Sequence, residues 1–173
     1  MQENKPVMVV GLGNPGAEYA RTRHNVGFMA VEYLAGNDTT WKSEHDAMTC
    51  RAVVDGHKVI FVRPMTFMNL SGNAVGALAR FYKVPVENII VIHDDMDIKP
   101  GTIKEKIGGG SAGHNGIKSI DAAIGPDYRR IRIGIGHPRD FNLKTDPADW
   151  VLGRIDDEHM TDIISAIKTI KLI

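Results

Sequence analysis

Cysteine is nearly missing from this chain: Cys50 is the single one among 173 residues. No internal disulfide can form and no second thiolate is at hand for a metal, so the disulfide-stapled secreted class is excluded and Cys50 reads as a small packed side chain. No apolar run reaches the roughly 20 residues that span a bilayer, and the N-terminus has no apolar signal core, so a cytoplasmic location is expected. Internal repeats, low-complexity segments and a convincing linker are absent too. Net charge is zero, with 21 Lys and Arg against 21 Asp and Glu.

What is present is globular. Hydrophobic residues at 43 % and charged ones at 24 % exclude a disordered or collagen-like chain. A chain of this length suits one domain that buries roughly 70 % of its unfolded surface. The charges are unevenly spread: Gly101 to Arg139 holds seven Lys and Arg against three acids, and Asp140 onward holds four against seven. A local basic face, suited to a polyanion over part of the surface, therefore survives the neutral total.

The chain is organised around Val7 to Gly27, VMVVGLGNPGAEYARTRHNVG. A β-branched run ends at the tight turn Gly11 to Gly16, where active-site loops sit in α/β sheets. Asn14, Tyr19, Arg23, His24 and Asn25 follow, polar groups that a mere connector does not need; an imidazole beside carboxamides can move a proton and hold a carbonyl. Gly11, Gly13 and Gly16 also fit G-x-G-x-x-G, the dinucleotide fingerprint, which keeps an NAD-dependent oxidoreductase open. That reading is weak: Pro15 lacks an N–H inside the cradle, Gly16 to Arg23 has no apolar period, and Glu32 falls within a helix-like pattern. Helical spacing from Asn25 to Ala35 puts His24 at a helix start, where the dipole favours neutral imidazole, a state suited to a base or equally to a cap.

Further along, Asp55-Gly56 predicts a hairpin between Cys50–Val54 and Lys58–Val62. Thr66 to Gly72 leads into a helix marked by Leu70, Ala74, Leu78 and Phe81; Asn69 or Ser71 is a candidate N-cap, and Asn69 alternatively points into a cleft. Asn88 to Ile92 predicts a central parallel strand ending in His93-Asp94-Asp95-Met96-Asp97, on the same sheet edge as the Asn14 loop. Alternation sends Asp94 and Asp95 to opposite faces, which argues against a metal and for one carboxylate orienting His24. Thr102 to Ile107 reads as a half-exposed edge strand. The loop Gly108 to Gly116 reads as a flexible hairpin or as a phosphate nest entering a helix. Ser111 satisfies G-x-S-x-G but lacks the buried strand and the later acid and His of a hydrolase elbow, so it is rejected as a nucleophile. Arg130 to Gly136 predicts a half-buried strand with Arg130 and Arg132 outward, and Ile155 to Ile170 an amphipathic helix.

Gly11 to Gly16, Tyr19 and Thr22 to Gly27, then TFMNLSG at 66–72, HDDMDIKPG at 93–101, GGGSAGHNGIKS at 108–119, RIRIGIGHP at 130–138 and VLG at 151–153 stand in one order over nearly the whole chain. In these motifs the sequence resembles the bacterial-type peptidyl-tRNA hydrolases. The resemblance implies a single α/β domain over 1–173 with a mixed twisted sheet flanked by helices, phosphorylase/hydrolase-like, acting as a monomer. It implies hydrolysis of the ester between a peptide and the 3′ ribose of tRNA, recycling tRNA, with no cofactor and no metal. On matching positions His24 is the general base, Asp94 its partner, and Asn14 a further catalytic group; Asn14, Asn69 and Asn115 hold substrate, while Tyr19 and Phe67 line the place of the tRNA end. Asn14 is also expected to accept a hydrogen bond from the amide N–H of a blocked substrate, sparing aminoacyl-tRNA. Asp97 and His114 lie near enough to share this work. Family members often continue past Ile173 with another helical stretch, so a truncated end stays an open reading, as does a tRNA-binding module without catalysis.

Overall fold

A computed structural model describes all residues from Met1 to Ile173. Seven strands form one sheet: β1 (Val7–Gly11), β2 (Lys42–Glu44), β3 (Ala47–Val54), β4 (His57–Pro64), β5 (Ile89–Asp95), β6 (Ile103–Ile107) and β7 (Arg129–Gly134). Their spatial order is β2-β3-β4-β1-β5-β7-β6. β4, β1, β5 and β7 are mutually parallel, while the flanking pairs β2–β3, β3–β4 and β6–β7 are antiparallel. The mixed, helix-flanked sheet is the expected fold class, and the hairpin at Asp55-Gly56 and the edge position of β6 match expectation.

The central strands are apolar on both faces because both are covered. Val7, Val9, Ile90, Ile92, Ile131 and Ile133 pack against helices α1 (Val26–Ala35) and α5 (Asp157–Ile167). Met8, Val10, Ile60, Val62, Ile89 and Val91 pack against α2 (Ser71–Phe81) and α3 (Asn115–Ile124). A short helix, α4 (Pro147–Val151), completes the chain order between α3 and α5, and with β2 was not foreseen. None of these helices is long and apolar enough to cross a membrane.

Several local expectations are corrected. The helix expected from about Asn25 to Ala35 is present at Val26–Ala35, preceded by a 3₁₀ turn at Arg23–Asn25. Neither Asn69 nor Ser71 caps α2: Leu70 is its N-cap residue without a side-chain bond, and Ser71 Oγ donates instead to the Met68 carbonyl at 2.8 Å. Leu70 and Phe81 lie exposed rather than on the packed face. Arg130 does not point outward; it is 1 % exposed. Its guanidinium donates to the carbonyls of Gly109, Gly110 and Pro126 and to Asp121, because a charge on the covered face of β7 must be paired where it lies.

The C-terminal ends of the four parallel strands share one edge of the sheet, and two glycines bring α1 onto it. A Cβ on Gly11 would overlap the Gly27 carbonyl, and one on Gly27 would overlap the Ile92 carbonyl and the Leu12 backbone. The start of α1 thus lies in direct backbone contact with β1 and β5, which sets the residues just before it beside the end of β5. Gly27→Ala is expected to destabilise the protein by about 3 kcal/mol or more, the upper end for over-packing, read from the shift in urea midpoint at unchanged m-value.

Candidate active site

At that edge Asp94, the penultimate residue of β5, is 2 % exposed. A buried carboxylate persists only where donors replace water. His24 Nδ1 lies 2.9 Å from both Asp94 oxygens, and His114 Nε2 lies 2.8 Å from Oδ1. Asp95 points to the other face, as alternation requires, and its carboxylate stands 3.7 Å from Arg132.

The hydrogen bonds fix the tautomers. His114 Nδ1 is the side-chain cap of α3 and accepts the backbone N–H groups of Gly116 and Ile117, so the proton of neutral His114 sits on Nε2 and is donated to Asp94. His24 donates Nδ1–H to the same carboxylate, which leaves the Nε2 lone pair as its unclaimed atom. This ring can take a proton, and Asp94 can stabilise the imidazolium that results.

Burial alone would push the His24 pKa down, but the charge of Asp94 and its hydrogen bond outweigh it, and the net shift is upward from 6.5. The helix dipole was expected to keep the ring neutral; the adjacent carboxylate dominates. Burial would push Asp94 up, yet His24 and His114 hold it well below the usual carboxylate range. His93, buried behind them, is pushed down to about 3, by burial first and then by His114. Its Nδ1–H donates to the Asp94 carbonyl at 2.8 Å, while its buried Nε2 has no partner.

His24, Asp94 and His114 are also close enough to surround a cation. The donor chemistry opposes it. A metal on His114 Nε2 would require either an anionic ring or transfer of the proton to Nδ1, which would break the α3 cap.

Asn14 is buried at the end of the β1 loop, its backbone joined to Asn25 by two bonds of 2.9 Å. Its Oδ1 accepts the Met68 N–H at 2.8 Å, which orients the carboxamide and leaves its Nδ2 donor and the second Oδ1 lone pair without a protein partner. Asn115 is exposed at the first position of α3 and lines the same cavity, of about 190 Å³, as His24, His93, Asp94 and His114. Tyr19, half-buried on a 3₁₀ turn, and the exposed Phe67 and Asn69 lie outside its walls. Asp97 lines its rim, exposed, 3.9 Å from Arg139.

Two readings of glycine loops change. At the loop Gly108 to Gly116, His114 already occupies the amides of Gly116 and Ile117 at the start of α3, so those two are not open to a phosphate. Gly11 to Gly16 leads into a 3₁₀ turn rather than a helix, and Gly13 is small because the Phe28 ring packs on it, so the loop is no pyrophosphate cradle. Sequence reasoning missed a brace behind His24. The Arg23 guanidinium lies 3.4 Å above the Trp150 ring, and the Arg23 N–H donates to the Gly153 carbonyl at 3.0 Å.

Residues 8–172 match the sequence model of a family described as peptidyl-tRNA hydrolase. The peptidyl-tRNA hydrolase of Bordetella avium is 50 % identical over 149 residues, covering 84 % of this chain and 72 % of that protein. That of Rickettsia prowazekii is 44 % identical over 167 residues, covering 95 % and 89 %. The crystal structure of peptidyl-tRNA hydrolase from Acinetobacter baumannii superposes with a TM-score of 0.89 at 42 % identity, over 97 % of this chain and 85 % of that one. A purine nucleoside phosphorylase from Toxoplasma gondii, at 12 % identity and a TM-score of 0.54, shares the fold alone.

Asp94→Asn removes the main cause of the upward shift on His24, so the acid limb of the kcat/KM–pH profile is expected to move to lower pH, with a lower plateau. Stability carries a separate signature. His93, lowered from 6.5 to about 3, favours the folded state above 6.5 and loses that contribution as pH falls towards 3, at up to about 1.4 kcal/mol per pH unit. Asp94, also depressed, loses its contribution on acidification, whereas His24, raised, contributes at low pH and loses it as pH rises through its folded value. Urea titrations should therefore show stability falling below pH 6.5, with a shallower fall in His93→Asn.

Proposed function

The chain belongs to the peptidyl-tRNA hydrolase family, and from that premise we propose that His24, Asp94 and Asn14 carry out the hydrolysis. The reaction is cleavage of the ester between a peptide and the 3′ ribose of tRNA. Neither a dinucleotide enzyme nor a silent tRNA-binding module is supported. The observation that carries the assignment of roles is the pairing of His24 Nδ1 with a buried Asp94 that also receives His114, leaving Nε2 unpaired.

His24 Nε2 takes a proton from water as the water oxygen attacks the ester carbonyl. The oxyanion that forms is met by the Nδ2–H donor of Asn14, a kind of contact worth about 3 to 4 kcal/mol when well placed. Collapse expels the ribose 3′ oxygen, which takes the proton back from Nε2 of the imidazolium. An ester is activated enough for a single neutral base without a covalent nucleophile. Asp94 keeps the tautomer and offsets the transient charge, while His114 supplies the second donor that a lone buried carboxylate needs.

Asn115, on the cavity wall, and Asn69 hold the substrate, with Tyr19 and Phe67 flanking the tRNA end. Lys104 and Lys118, exposed and without an acidic partner, offer phosphate contacts near the glycine loop. All these groups come from one chain, which suits a monomer, and the lone cysteine suits the cytoplasm.

Release of an N-acetylated amino acid from its tRNA, set against release from the unblocked aminoacyl-tRNA, is the test. Wild type is expected to cleave the blocked substrate only. His24→Ala should lose about 10² to 10⁴ in kcat while still retaining tRNA on a filter, the range for a general base. Asn14→Asp keeps an acceptor for Met68 but replaces the donor with a negative charge, and kcat is expected to fall by about 10² to 10³ with little change in KM. Full activity in His24→Ala would remove the assignment.

A further inference from the structure

His93 is a buried, titratable side chain that the hydrolysis leaves unused. It precedes Asp94 on β5, and alternation sends the two side chains to opposite faces: Ile90 and Ile92 share the α1 face with Asp94, while Ile89 and Val91 share the α2 and α3 face with His93. The His93 ring stands edge-on to His114, with 5.0 Å between centroids and 73° between planes. Its Nδ1–H donates to the Asp94 carbonyl at 2.8 Å, and its Nε2 is buried without a protein partner. A buried acceptor without a partner costs stability, so an apolar ring would serve better here if packing were all that counted. Nor is the ring a reserve acid or base: burial first, and then His114, push its pKa down to about 3 and keep it neutral.

What the imidazole does supply is a donor where a strand gives out. Along a paired strand the backbone groups of successive residues point to alternate neighbours. Ile92 accepts the Leu12 N–H at 3.0 Å on the β1 side, and Asp95 accepts the Ile135 N–H at 3.1 Å on the β7 side. Asp94 therefore turns its carbonyl towards β1, but β1 ends at Gly11, opposite Ile92, and the chain leaves for the Asn14 loop. No strand remains to meet that carbonyl, and a buried carbonyl needs a donor. The His93 Nδ1–H meets it. The same residue carries the carboxylate that holds His24 Nδ1 at 2.9 Å and His114 Nε2 at 2.8 Å.

We propose that His93 is a positioning residue for Asp94: by closing the carbonyl left open beyond the end of β1, it fixes the peptide from which the carboxylate is aimed at His24. The inference rests on the proposed roles of His24 and Asp94, and adds to them a residue whose two ring nitrogens are both turned into the protein. His93 is faced by His114 from the start of α3, by Arg130 and its register partner Arg132 from β7, and by Asp94 on its own strand. His24 is faced by Asp94 and His114. Because His93 is neutral, replacing it removes no charge from this group. What reaches His24 is the alignment of Asp94, and the His24 pKa, which burial lowers and Asp94 carries to a net upward shift, reports that alignment.

Three substitutions separate the donor from the ring. Asn places its amide where the imidazole Nδ1 lies, Gln places it near Nε2, and Phe keeps a ring without a donor. Hydrolysis of an N-acetyl-aminoacyl-tRNA is followed across pH in His93→Phe, His93→Gln and His93→Asn, with thermal midpoints to check that each is folded. His93→Phe and His93→Gln are expected to lower kcat about 10- to 100-fold, as for a small misplacement of a reacting group, with KM retained and the acid limb of the kcat/KM–pH profile moved to lower pH. His93→Asn is expected to keep the wild-type acid limb and to recover most of kcat. If one of the two variants without the donor does not fold, the other decides. Wild-type kcat and acid limb in those variants overturn the proposal, and so does an equal loss in folded His93→Asn, which makes the ring rather than the donor the needed feature. His24→Ala reads the catalytic assignment separately: turnover lost there beside wild-type kinetics in His93→Phe sinks this inference alone, whereas turnover retained there sinks the assignment on which it rests.

Discussion

A carboxylate buried at the end of a central strand is the constraint on which the site depends. Asp94 has almost no access to water, so its charge survives only through the N–H groups of His24 and His114. Satisfying it imposes tautomers on both rings. For His114 the remaining nitrogen is used on the start of α3; for His24 it is left over. The asymmetry between two histidines on one carboxylate follows from that difference: one ring is tied at both nitrogens and serves as support, the other is tied at one and can exchange a proton.

Bringing these groups together is the work of packing some distance from the chemistry. Gly11 and Gly27 let α1 lie on the backbone of β1 and β5, closer than any side chain would permit. Arg23 lays its guanidinium over Trp150 and donates its backbone N–H to the Gly153 carbonyl, and Trp150 is itself anchored by its indole N–H on the Gly136 carbonyl at 2.8 Å. A Cβ on Gly153 would come within 2.6 Å of the Arg23 guanidinium. The C-terminal part of the chain therefore presses on the residue preceding His24, which gives a physical reason why a short VLG segment far along the sequence belongs with a motif near its start. Arg130 does the same for the glycine loop, holding two of its carbonyls from beneath.

The sequence by itself determined the strands that are apolar on both faces, the hairpin, the edge strand, and the presence of an imidazole and a carboxylate on one sheet edge, because periodicity and turn chemistry are local and the parallel topology leaves few places for loops. The motif resemblance extended this to a family, a reaction and a set of residues. Tertiary structure alone decided which atoms meet. Whether Arg130 faces water depends on the helices laid across β7; alternation by itself could not tell the covered face from an open one. How the Asn14 carboxamide is turned depends on the Met68 amide, 54 residues away. Whether the start of α3 is free for phosphate depends on one side chain folding back onto it. Each of these is a competition between distant groups for a single hydrogen bond or a single patch of buried surface, and its outcome is fixed only when the chain has closed around it.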